Sequence, residues 1–162
     1  MSKHSDVMAY LKVLDLSDKL NSFTGRKRIQ KSVYLLQQLG ANLHFGYTWY
    51  VHGPYSPDLT RTIFNPIQDE PSRELNKNEL EIVNIARNFL AQYFYSADSL
   101  ELVVSLIYVI KNGLKDGYDS KQKIIGYLRE QKPHFSVDRI ESAWQKIEQS
   151  ELWKDDLNKL KR

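Results

Sequence analysis

Only one stretch of this chain alternates with the period of a β-strand. Phe45, Tyr47, Trp49 and Val51 interleave with Gly46, Thr48, Tyr50 and His52, a period of two in residues that favour pleated backbone. The other patterned segments repeat their apolar residues at helical spacing. A lone strand leaves its backbone N–H and C=O groups without partners, so a second short strand must accompany it. The best candidate lies within 68–76, at Arg73 to Leu75.

Helices are expected on both sides of that strand. Residues 6–20 place Val7, Met8, Leu11 and Leu14 on one face, and residues 26–39 do so with Ile29, Val33, Leu36 and Leu39 before Gly40. Ser56, Pro57 and Asp58 form a helix start: hydroxyl cap, proline at the first position, and a carboxylate near the positive end of the dipole. Asn76 with Glu79 is a capping pair, Asp98 with Glu101 opens the most apolar helix, and Ser120 and Ser136 cap two more. The tail from Leu152 to Arg162 reads as a charged helix that frays. Residues 65–78 carry two prolines and no apolar period, as a linker does. The fold class is therefore mainly α with a small β-ribbon: a winged-helix-like N-terminal lobe over 1–67, a linker over 68–78, and a helical C-terminal lobe over 79–162.

Composition narrows the chemistry. The 162 residues hold no cysteine, which excludes disulfides, thiolate catalysis and Cys-ligated metals. The longest apolar run, Leu100 to Ile110, is interrupted by Glu101 and Ser105 and is shorter than the ~20 residues a membrane span needs. The start of the chain carries charges throughout and lacks the apolar core of a signal peptide. The expectation is a cytoplasmic protein with no membrane partner.

No catalytic pattern emerges. His4, His44, His52 and His134 include no pair four residues apart, so a shared metal is not expected. Ser56 lacks a nucleophile-elbow context. Asp69-Glu70 and Asp155-Asp156 are adjacent carboxylates in polar surroundings, which suits solvation better than acid–base work. Lys132-Pro133-His134-Phe135 reads as a helix corner with Phe135 inward and His134 exposed. No catalytic residue, cofactor or metal ligand is assigned, and the chain is read as a non-enzyme.

Binding fits better. Between Thr24 and Phe64 stand five cations, Arg26, Lys27, Arg28, Lys31 and Arg61, against the single anion Asp58. Such a cluster neutralises phosphates independently of sequence and is sensitive to salt; the bland reading is a solvated helix start. Tyr47, Trp49 and Tyr55 offer rings for stacking bases, although rings on one face of a strand more often pack against helices. Tyr50 and His52 fall on the opposite face and, with Tyr55, form the expected contact surface for a partner.

RIQKSVYLLQQLG followed by FGYTWYVHGPYSPDL resembles the signature of the YwgA-like small proteins of bacteria and archaea, described as predicted regulators. A more distant likeness is to the Panacea domain of SocA-type antitoxins and proteolytic adaptors. LELVVSLIYVIKNG and KIIGYLREQKPHFSVDRIESAW are similar to the later half of YwgA-like proteins, so the likeness covers most of the chain. Ile29 stands where that family often has Leu, and Asn65-Pro66-Ile67 replaces its wing-entry pattern. The resemblance implies a helical, winged-helix-like fold and a regulatory or antitoxin-like role. Two functions follow as expectations. One is a regulator binding DNA or RNA through Arg26, Lys27, Arg28, Lys31 and Arg61. The other is an adaptor or antitoxin, in a hetero-complex or homodimer, that meets a protein through Tyr50, His52 and Tyr55 without nucleic acid.

Overall fold

Seven helices of the computed structural model, which describes residues 2–66 and 70–162, begin in the same way. A Ser or Asn side-chain oxygen accepts the backbone N–H three residues further on, satisfying one of the donors a helix start leaves open. Ser2 starts α1 (Lys3–Val13), Ser22 starts α2 (Phe23–Gln38) and Ser56 starts α3 (Pro57–Phe64). Asn76 starts α4 (Lys77–Leu90) with a complete capping box, and Ser96 starts α5 (Ala97–Asn112). Ser120 and Ser136 start α6 (Lys121–Gln131) and α7 (Val137–Glu148). The strands β1 (Thr48–Tyr50) and β2 (Gly53–Tyr55) lie between α2 and α3. A short α8 (Lys154–Asn158) follows a 3-10 turn. The chain is thus mainly helical with one small antiparallel sheet among the described residues.

The strand that completes the ribbon is not the expected one. β1 pairs with the segment immediately after it, in the register Thr48 with Tyr55, Trp49 with Pro54 and Tyr50 with Gly53. Arg73 to Leu75 is irregular, and the first residues of the 68–76 candidate lie outside the described residues. A local hairpin closes a far shorter loop and so costs less entropy. Gly53, at φ 89°, takes the left-handed position the tight reversal requires. Pro54 lacks an N–H, which a two-stranded ribbon tolerates. The strand is shorter than the alternation from Phe45 to His52 implies: β1 covers Thr48–Tyr50, and Val51 stands beyond it, exposed at the hairpin tip.

Two compact units divide the chain, Met1–Leu100 and Glu101–Arg162. The linker expected over 68–78 lies partly outside the described residues. In the first unit Arg73 instead joins neighbouring elements: its guanidinium is 2.9 Å from Asp6 of α1 and also bonds Glu79 of α4. There α1 packs on α3, and α2 packs on both β2 and α4. Val7 and Leu11, Ile29 and Val33, Leu59 and Ile63, and Val83 and Phe89 are buried. The first helix stops at Val13 rather than near residue 20, because Asp15 adopts φ 61° and the reversal buries Leu16. Asp is among the few residues that accept that conformation.

In the second unit α5 supplies the most buried surface, from Leu102 through Ile107. Glu101 and Ser105, which interrupt the apolar run, are also fully buried. Phe135 is buried and His134 exposed, as the corner reading expects. The tail does not fray: Trp153 is buried, and the Lys161 backbone N–H donates to the Asp119 carbonyl at 2.7 Å. No helix among the described residues is long and apolar enough to cross a membrane.

Candidate interaction site

The hairpin is held to α2 by side chains that reach its backbone. Gln30 accepts from the Ser56 N–H at 2.9 Å through Oε1 and donates to the Ser56 carbonyl at 2.9 Å through Nε2. Gln37, seven residues and about two turns along the same face, repeats the clasp on Phe45. It accepts from that N–H at 2.7 Å and donates to that carbonyl at 2.9 Å. Each glutamine therefore satisfies both backbone groups of one residue, as a neighbouring strand would. Lys31 adds a third tie, its ammonium donating to the Pro54 carbonyl at 2.7 Å. The Tyr47 hydroxyl donates to the Gln30 carbonyl at 2.8 Å, and burial raises its pKa well above the ordinary value.

These ties leave a groove of about 250 Å³ between three elements. The first half of α2 lends Phe23, Arg26, Lys27, Gln30 and Lys31, the hairpin lends Tyr50, His52 and Tyr55, and α3 lends Thr60 and Ile63. Phe23 meets His52 edge-on with ring centres 5.1 Å apart, while Tyr50 and Tyr55 stack at a tilt, 5.4 Å apart. The Tyr55 hydroxyl shares a 2.8 Å hydrogen bond with Thr60. The expected partner surface, Tyr50, His52 and Tyr55, is therefore brought together in one place.

The expected phosphate surface is not. Lys31 is 1 % exposed. Lys27 has a side chain only 8 % exposed and lies 3.0 Å from Asp98. Arg28 donates to the Phe94 carbonyl at 3.0 Å and covers the Phe94 ring at 4.7 Å, and burial pulls its guanidinium below its usual pKa. Arg26 lines the groove and donates to the Leu20 carbonyl at 3.2 Å. Arg61 alone of the five is largely solvated, 3.9 Å from Asp58 and away from the groove lining. The four early cations therefore do not face water together. Their long stems let the charged tips travel to acceptors that helical spacing does not reveal.

Phe23, Gln30, Thr60 and Ile63 were missed in the sequence. Phe23 carried one signal: an aromatic directly after a helix cap, 54 % exposed here, with no place in the apolar period. Ser56 is fully buried, its hydroxyl accepting the Leu59 N–H at 3.2 Å. Among the described residues no three His, Asp or Glu side chains cluster as metal ligands. The site offers aromatic surface, apolar depth and positive charge, which are the materials of recognition. Compared with known proteins, the chain matches no family model, no curated protein and no solved structure.

Proposed function

We propose that this chain is a non-enzymatic, protein-binding adaptor that docks its partner in the groove beside Gly53-Pro54-Tyr55-Ser56. The observation that carries the reading is exposed apolar surface at a hollow. Phe23 and Tyr50 are 54 % and 59 % exposed and both line the groove. Large apolar residues gathered around a depression are typical of interaction surfaces. The cations needed to track a phosphate backbone point inward or to neighbouring acceptors, which favours protein over nucleic acid. The resemblance to YwgA-like and Panacea proteins suggests a regulatory or antitoxin-type setting in the cytoplasm. A winged-helix-like description of the first lobe rests on the packing of α2 against the hairpin, used here to meet a protein.

The test compares the wild-type chain with a Phe23→Ala, Tyr50→Ala double variant of equal thermal midpoint. Co-purification from the native host should retain a partner on the wild type and lose it on the variant, with no retardation of duplex DNA or RNA. Retardation that collapses between ~50 and ~200 mM salt and ignores the double substitution would instead establish the nucleic-acid reading.

A further inference from the structure

The polar atoms at the floor of the groove are largely committed to one another. Gln30 Nε2 donates to both the Ser56 carbonyl and Thr60 Oγ1, each at 2.9 Å, and Thr60 Oγ1 also meets the Tyr55 hydroxyl. A ligand entering there meets rings and Ile63 more than free donors. The depth thus selects for apolar shape.

Charge at the site has one sign. Arg26, Lys27 and Lys31 line the groove, and among the described residues no Asp or Glu does. Lys27 reaches Asp98, and Lys31 reaches the Pro54 carbonyl. Arg26 is half-buried beside the groove and spends one Nη1 bond on Leu20. A guanidinium has five donors in a planar fork suited to a carboxylate. Size decides the rest. At about 250 Å³ the hollow falls below the ~300–1,000 Å³ typical of sites that enclose a whole small molecule. It suits a single anchoring side chain, with the remainder of the partner outside.

We infer that the groove takes a peptide segment in which a large apolar side chain stands beside a carboxylate, and that Arg26 receives that carboxylate. The anchor fills the hollow between Tyr50, Tyr55 and Ile63. The carboxylate belongs to a neighbouring Asp or Glu or to a chain terminus. This inference rests on the adaptor reading and specifies its ligand.

Selection of short random displayed peptides against the whole chain tests it. Enriched sequences should pair Phe, Tyr, Trp, Leu or Met with an adjacent acid. A synthetic peptide of that pattern should bind about tenfold or more weakly to Arg26→Gln, consistent with loss of a charge-assisted bond. An unchanged thermal midpoint of Arg26→Gln is the folding control, and a peptide with its acid amidated should lose affinity equally on the wild type. Tyr50-dependent peptides without acid preference, indifferent to Arg26→Gln, would overturn the inference while leaving the adaptor reading intact. If no selected peptide depends on Phe23 or Tyr50, both fail. Displacement of the selected peptide by an oligonucleotide, and not by the free acidic peptide, would also overturn the inference.

Discussion

Gln30 of α2 holds Ser56 by both backbone groups, accepting its N–H and donating to its carbonyl, each at 2.9 Å. Ser56 in turn caps α3 with its side chain. One buried amide therefore fixes the exit of the hairpin and the start of the next helix, and with them two walls of the groove. Gln30→Leu should cost about 2–4 kcal/mol, since the Ser56 N–H and carbonyl lose their glutamine partner while buried. Gln30→Glu keeps an acceptor but sets a buried carboxylate oxygen against the Ser56 carbonyl, so its midpoint in urea unfolding should fall at or below that of Leu.

Lys31→Met tests whether that lysine is a structural tie. It removes the donor to the Pro54 carbonyl, and a stability loss of roughly 1–3 kcal/mol is expected. Amide exchange should accelerate at Thr48 to Tyr55 more than within α4. If Lys31 instead served a bound phosphate, Met would leave stability unchanged.

Within the second unit Lys132 and Glu101 form an ion pair at 2.8 Å, with side chains 1 % and 0 % exposed. Removing one member strands a buried charge, so Lys132→Met alone should destabilise by about 3–5 kcal/mol. Glu101→Leu combined with Lys132→Met should recover most of that loss. A double-mutant cycle in guanidinium would measure it, and simple additivity of the two losses would contradict the pairing.

Gly25 predicts a reversal of the usual helix rule. Gly→Ala inside a helix ordinarily stabilises by roughly 0.5–1 kcal/mol. Here an added Cβ would meet the Lys19 carbonyl oxygen at 2.0 Å and Ser22 Oγ at 2.8 Å. Gly25→Ala should therefore lower the thermal midpoint, because the turn before α2 must move.

Two groups beside Arg73 make stability depend on pH at opposite ends of the range. Hydrogen bonding from Arg73 holds the Glu79 carboxyl below its usual 4.5, so Glu79 contributes stability above that value that is lost as pH falls through its folded-state pKa. Burial, with the Glu79 charge, pushes Tyr10 up to about 12, so its contribution is present below pH 10 and lost between 10 and about 12. Glu79→Gln should flatten the acid limb of stability against pH, and Tyr10→Phe the alkaline limb. Unfolding curves at matched ionic strength would show it.

The helix starts at Ser56, Asn76, Ser120 and Ser136, and the apolar faces behind them, were decided by residues within one turn of each other. A cap and the N–H it accepts are three positions apart, so no distant part of the chain needs to be known. The same locality made the middle of the aromatic strand legible, at Thr48–Tyr50. It did not reveal β2, since Gly-Pro reads as a break until the hairpin register shows Pro54 opposite Trp49. Nor did it foresee Gln30 and Gln37, whose partners lie 26 and 8 residues away.

The cations show where sequence stops. Lys27 and Lys31 share a helical face by spacing, which places their stems together and leaves their charges undetermined. The acceptors, Asp98 and the Pro54 carbonyl, arrive from elements distant in sequence, and only packing brings them within 3.0 Å and 2.7 Å. Lys132, in the segment read as a helix corner, is buried on Glu101 for the same reason. Local hydrogen bonds settled where the helices begin; the reach of long side chains across tertiary contacts settled what the groove presents.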